Sequence, residues 1–129
     1  MEREELVERA IEARKMSYSP YSGFCVGAAL ETEEGEVFLG CNIENAAYGP
    51  SVCAERTAIF KAVSEGCGDF SQIAIVGAPR GENISRFCAP CGVCRQVMSE
   101  FCDSDFKVIL TDGVHRFGEL LPSRFELDR

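Results

Sequence analysis

Two short runs, Cys53-Ala54-Glu55-Arg56 and Pro90-Cys91-Gly92-Val93-Cys94, constrain this chain more than any other stretch. Each reads as the first turn of a helix, and together they carry three thiols, one carboxylate and one guanidinium. Cys91 and Cys94 stand at C-x2-C spacing, which lets two sulfurs bind one ion from a single helical turn. The N–H groups and dipole at a helix start favour thiolates there, and Pro90 just ahead costs no intrahelical hydrogen bond. Cys53 is the expected third ligand. Three protein ligands leave a zinc ion one open position, the mark of a catalytic rather than a closed structural site. Glu55, two residues from Cys53, is placed to move protons at that position without ligating the metal. A fold for this chain must therefore bring two helix N-termini to one point.

Three thiolates and one divalent zinc sum to a negative charge, which weakens the metal as an acid. Arg56 lies three residues after Cys53 on the same helical face and is expected to hydrogen bond thiolate sulfur, drawing charge off it together with the two helix N-termini.

The chain has 129 residues, which fits one domain over 1–129. Its formal charge of −8 argues against long nucleic acid as a partner, because that affinity comes from Lys and Arg displacing counterions. No apolar run approaches the roughly 18 residues that span a bilayer. The acidic start, Met1-Glu2-Arg3-Glu4-Glu5, lacks the pattern of a secretory signal, so the expected address is cytoplasmic. Eight cysteines without such a signal point to metal or catalysis rather than disulfides.

Apolar residues at three- and four-residue spacing predict an amphipathic helix over 4–16. Proline and glycine then break it into an aromatic-rich loop, Ser17-Tyr18-Ser19-Pro20-Tyr21-Ser22-Gly23, a candidate pocket wall. Two strand-like runs, 24–32 and 36–42, flank Glu33-Glu34-Gly35 and predict a hairpin. Asn42-Ile43-Glu44-Asn45 offers hydrogen-bonding side chains just past it, either as turn formers or as ligand contacts. A central, largely buried helix is expected over 51–65, stopped by Gly66. The apolar run 73–76 predicts a strand covered on both faces in mid-sheet. A loop over 79–87 leads to a helix over 91–102, expected to bury Val93, Val97, Met98 and Phe101. A strand over 106–111 follows, then an extended piece over 114–117 and a short tail over 123–129 containing Phe125. The order implies an α/β fold, a three-layer α-β-α sandwich around a mixed sheet of about five strands.

Beyond the two runs, the segments Phe24-Cys25-Val26-Gly27-Ala28-Ala29, Asn42-Ile43-Glu44-Asn45-Ala46-Ala47-Tyr48, Cys91-Gly92-Val93-Cys94-Arg95-Gln96-Val97 and Glu119-Leu120-Leu121-Pro122 extend the pattern. With them the chain resembles the small zinc-dependent cytidine deaminases over most of its length. The resemblance implies hydrolytic deamination of cytidine and 2′-deoxycytidine in pyrimidine salvage, with one zinc per chain held by Cys53, Cys91 and Cys94. Water attacks C4 of the pyrimidine, and Glu55 moves protons to N3 and to the departing ammonia. It further implies that Phe24 packs on the base, that Asn42 and Glu44 bond the ribose hydroxyls, and that the Ala54 backbone meets the base edge. The family's homotetramer, with shared sites, makes Ala46, Tyr48 and Phe125 candidates to complete a neighbouring subunit's pocket.

Two positions depart from many relatives: Ala89 stands where serine is common, and Cys88 adds a thiol. Cys88, Cys91 and Cys94 with Cys53 open a four-cysteine structural zinc module or an iron–sulfur cluster, although the latter lacks its usual further cysteine. Within the deaminases, the alternative is a related aminopyrimidine nucleoside or a blasticidin-type nucleoside antibiotic. Cys25, Cys41, Cys67 and Cys102 read as buried small hydrophobes, and His115 as a surface residue.

Overall fold

Alternation along three strands divides the apolar residues between two layers. On β1 (Phe24–Thr32), β3 (Phe70–Pro79) and β4 (Lys107–Leu110), residues Ala28, Leu30, Ile73, Ile75, Val108 and Leu110 turn to one face. Ala29, Ala74, Val76 and Ile109 turn to the other. Helix α1 (Arg3–Arg14) covers the second face with Leu6 and Ala10. Helices α2 (Ala54–Ser64) and α3 (Gly92–Phe101) cover the first with Ala58, Ile59, Ala62 and Met98. Full burial of a side chain such as Ile59 or Met98 contributes about 1.5–3 kcal/mol. This is the expected three-layer sandwich, seen in a computed structural model that describes residues 1–84 and 87–127.

The remaining strands are β2 (Val37–Cys41) and β5 (Gly113–Arg116), followed by one helical turn, α4 (Phe117–Leu120). The five strands lie in the order β2-β1-β3-β4-β5. Only β3 and β4 pair in parallel, which makes the sheet mixed and puts β3 at its centre, as the apolar run at 73–76 predicts. The hairpin register sets Leu30 opposite Phe38 and Ala28 opposite Gly40. Among the described residues no helix is long and apolar enough to cross a membrane.

Four local expectations are revised. Helix α2 starts at Ala54 rather than Ser51, because Val52 exchanges both backbone hydrogen bonds with Ile43, at 2.9 Å each, and keeps the segment extended. On α3, Met98 is buried and Val97 and Phe101 are partly buried, but Val93 is 57% exposed. Cys94 faces inward and carries Met98 one turn later on the same stripe, so the residue before Cys94 is rotated toward solvent. The outer face of α2 is also open at Phe60 and Val63. Cys25 and Cys102 are buried as expected, whereas Cys41 on the edge strand and Cys67 after α2 are half-buried. His115 accepts or donates a 2.7 Å hydrogen bond with Asp112 at the sheet edge. The expected loop over 79–87 and tail over 123–129 include positions 85, 86, 128 and 129, which lie outside the described residues.

Candidate metal centre and active site

Strands β2 and β3 are each antiparallel to β1, so they point the same way. The chain leaves the C-terminal end of both strands and each time enters a helix whose N-cap is a cysteine, Cys53 for α2 and Cys91 for α3. β1 begins at that same end with Phe24. The topology alone thus gathers the two cysteine runs and the candidate base-packing residue, at the sheet end where α/β folds build their sites.

Local contacts then fix the helix starts. A Cβ on Gly40 would lie 2.4 Å from the Ala54 carbonyl oxygen, so only glycine lets the first turn of α2 rest on β2. Thr57 Oγ1 donates to the Cys41 carbonyl at 2.9 Å. Before α3, Arg95 donates through Nε to the Pro90 carbonyl at 2.8 Å and through Nη1 to the Leu120 carbonyl at 2.7 Å. The Cys91 sulfur caps α3, accepting from the Cys94 N–H at 3.5 Å. Arg95 and Thr57 sit within the sequence motifs, yet nothing in their spacing announces that they pin the loops carrying the thiols.

The three sulfurs of Cys53, Cys91 and Cys94 lie within 4.8 Å of one another, with Cys53 to Cys91 at 3.7 Å and Cys91 to Cys94 at 3.4 Å. Ligands bonded tetrahedrally to zinc at about 2.3 Å stand about 3.8 Å apart, so the donor set and its spacing fit zinc. All eight cysteines are free thiols. Cys88 is not part of the group, which removes the geometric basis for a closed four-sulfur site.

Charged groups gather at the sulfurs. Arg56 Nη2 reaches Cys53 Sγ at 3.4 Å. Hydrogen bonding from Cys94, then from Arg56 and Cys91, pulls the Cys53 thiol down to about 5, and the same bond with burial pushes Cys94 up. Of these two, Cys53 is therefore the sulfur on which the thiolate is favoured. Arg56 Nε is a buried side-chain atom without a hydrogen-bond partner, while Nη2 of the same guanidinium faces the Cys53 sulfur. Glu55 is 3% exposed. Burial above all, with the Cys53 charge adding to it, pushes its carboxyl up to about 7.

A pocket of about 350 Å³ opens above this group, and Asn42, Glu44, Ala54, Glu55, Arg56 and Cys88 contribute to its lining. Ala54 is fully buried at its base. Phe24 is half-buried beside it: a Cβ on Gly77 would lie 2.9 Å from both the Phe24 ring and Cys88 Sγ, so the bare backbone of β3 seats both. Burial pushes the Cys88 thiol up to about 11. Asn42 Oδ1 accepts from Val26 N–H at 2.9 Å and from Ser17 Oγ at 2.5 Å, while Nδ2 donates to the Phe24 carbonyl at 2.8 Å. Its acceptor is filled, and one N–H remains for a ligand. Glu44 Oε1 accepts from Tyr21 N–H at 3.0 Å and Ser22 N–H at 3.1 Å, and Oε2 accepts from the Ser22 hydroxyl. These bonds, the Ser22 hydroxyl first, hold the Glu44 carboxyl below the usual carboxylate range.

Of the residues expected from neighbouring subunits, Tyr48 borders this chain's own pocket while remaining 85% exposed. Ala46 is exposed on the same loop. Phe125, 66% exposed, lies elsewhere, against Gln96 and Ser99 of α3. A larger hollow of about 520 Å³ lies near Met1 and Phe106, and among the described residues no metal-ligand cluster falls in it.

Residues 1–110 match the family described as cytidine and deoxycytidylate deaminase zinc-binding region. A cytidine deaminase of Halalkalibacterium halodurans is 53% identical over 110 residues, covering 85% of this chain and 80% of that one. The cytidine deaminase of Sporosarcina psychrophila is 48% identical over 112 residues, covering 87% and 79%. The crystal structure of cytidine deaminase from Burkholderia pseudomallei superposes with a TM-score of 0.86 at 48% identity, covering 97% of this chain and 100% of that one. A blasticidin-S deaminase of Bacillus cereus is also similar, at 38% identity over 112 residues, covering 84% and 79%.

Proposed function

The chain belongs to the family of cytidine and deoxycytidylate deaminases, and from that premise we propose that it is a zinc-dependent cytidine deaminase. It is a hydrolase that converts cytidine and 2′-deoxycytidine, with one water, to uridine and 2′-deoxyuridine plus ammonia. The observation that carries this reading is a buried glutamate, Glu55, beside three sulfurs spaced for tetrahedral zinc, at the base of a pocket.

Cys53, Cys91 and Cys94 are the residues that hold one zinc. Bound zinc supplies Lewis acidity that makes water a nucleophile at neutral pH. Glu55, poised near 7, takes one proton of the attacking water and passes it to pyrimidine N3, then takes the proton of the hydroxyl now on C4 and gives it to the leaving amine as the C4–N4 bond breaks and the C4 carbonyl forms. Arg56 holds charge off the Cys53 sulfur. The Ala54 backbone meets the base edge and Phe24 packs on its face. On the sugar side, Asn42 has only a donor to spare and Glu44 only an acceptor, which suits hydroxyl groups. Two acidic side chains line this pocket and its arginine is engaged with sulfur, which disfavours a 5′-phosphate.

We read the whole chain as one deaminase domain in cytoplasmic pyrimidine salvage, a placement supported by the substrate class. We also read it as a homotetramer with shared sites, in which Ala46, Tyr48 and Phe125 contribute to neighbouring pockets. The exposed apolar faces at Phe60, Val63 and Phe125 support burial by other copies. Blasticidin S is the second reading, favoured only by the Bacillus cereus relative. The test follows the ultraviolet absorbance of cytidine, 2′-deoxycytidine, cytidine monophosphate and blasticidin S in parallel. A fall with the first two is expected; a change with blasticidin S alone transfers the assignment, and no change with any of them removes it.

A further inference from the structure

Two residues assigned to recognition, Phe24 for the base and Glu44 for the sugar, meet at a third side chain that no motif singles out. Ser22 is exposed in the loop 17–23. Its hydroxyl accepts from Phe24 N–H at 3.0 Å and donates to Glu44 Oε2, while its own N–H donates to Glu44 Oε1 at 3.1 Å. The direction of each bond is forced, because a backbone N–H only donates and an ionised carboxylate only accepts. The single hydroxyl proton of Ser22 is thus committed to Glu44.

We propose that Ser22 is a positioning residue for sugar recognition, aiming the one acceptor that Glu44 has left. At Glu44, Oε1 is saturated by two N–H groups, and Oε2 keeps one lone-pair direction after taking the Ser22 hydroxyl. That remaining direction is fixed by the serine. The other end of the same hydroxyl meets the start of β1, whose Phe24 carbonyl is held by Asn42 at 2.8 Å. Removing the hydroxyl frees the carboxylate to turn, while the Asn42 bond to the Phe24 carbonyl still holds the start of β1. A serine that merely closed its own turn would also bond the N–H two residues on. Such a turn former has no reason to distinguish ligands by their sugar hydroxyls, and this distinction separates the two roles.

The inference rests on the cytidine deaminase reading, and its test keeps the two apart. Zinc-loaded full-length protein is assayed as wild type, Ser22→Ala and Ser22→Thr. Measured for each are zinc content, cytidine kcat and KM, and the inhibition constant of 2′,3′-dideoxycytidine, which lacks the hydroxyls that Glu44 accepts from. Loss of a charge-assisted hydrogen bond predicts a cytidine KM raised about tenfold in Ser22→Ala. Its kcat, its zinc and its inhibition by the dideoxy compound stay as in wild type, and Ser22→Thr restores KM. An unchanged KM, a loss confined to kcat, or equal weakening toward cytidine and the dideoxy compound overturns the proposal. If Ser22→Ala does not fold, Ser22→Cys, of similar shape with a weaker donor, carries the same comparison. A wild type that leaves cytidine unchanged removes the deaminase reading and this inference with it. An active wild type matched by Ser22→Ala removes the inference alone.

Discussion

The helix-borne half of the site and the loop-borne half are held by different means. On α2 and α3, Cys94 and Ala54 are completely buried and Glu55 nearly so, and the thiols are placed by helix starts packed on the sheet. On the other side, Phe24, Asn42, Glu44 and Tyr48 range from half-buried to fully open. They are set by hydrogen bonds from loop backbone and from two serines, Ser17 and Ser22. Proton transfer and thiolate charge gain from a dry, preorganised surround, whereas a surface that admits and releases a nucleoside must stay open. The contrast implies that damage to the helix half registers in metal content and kcat, and damage to the loop half in KM.

The largest effect is expected from Cys91→Ser: zinc by elemental analysis and cytidine turnover are both lost together, and a variant that kept either would break the contrast. Next is Glu44→Gln, expected to keep its zinc and kcat but to raise KM for cytidine about tenfold or more through loss of a charge-assisted hydrogen bond. A kcat defect there would place Glu44 with the chemistry instead.

The thiols offer a subtler comparison across the same boundary. In zinc-stripped protein, Cys53 lies near 5, so its thiolate is nearly fully formed at neutral pH and its alkylation rate should be flat as pH rises further. Cys88 lies near 11, so its alkylation should be slow at neutral pH and climb about tenfold per pH unit until the pH reaches that value. Peptide mapping after timed alkylation reads both at once, and similar profiles for the two would contradict the assigned environments. The smallest effect is expected from Cys88→Ala, with zinc at one per chain and activity unchanged. Loss of metal in that variant would revive the four-sulfur alternative.

What could be read from the chain without its structure divides between local patterns and partners brought from afar. The hairpin, the central strand and the ligand-bearing helices are legible because alternation and helical spacing are local, and β1 runs over the span its sequence predicts. The three sulfurs are legible because C-x2-C geometry is local too, needing only one more cysteine brought by topology. The start of α2 was not, since Ser51 looks like a cap and only the distant partner Ile43 keeps Val52 extended. Val93 falls on the exposed side because Cys94, a candidate metal ligand, and not apolarity alone, sets the inward stripe of α3. Asn42 and Glu44 are visible as polar residues leaving a strand, but not how much of their bonding capacity the fold already uses. Ser22 and Ser17 are legible only as members of a loop that is a candidate pocket wall, as serines in a turn are ordinary. Their role exists only once the loop lies against residues some twenty positions away.

Glu55 stands at the centre of the division, buried with the metal group yet lining the pocket. Zinc content and cytidine turnover measured together on Glu55→Gln test that position most directly. With the ligands untouched and only the proton carrier removed, zinc should remain at one per chain and kcat should fall about 10² to 10⁴-fold. Retained turnover, or zinc lost along with it, would contradict the assignment of Glu55 as a proton carrier that does not ligate the metal.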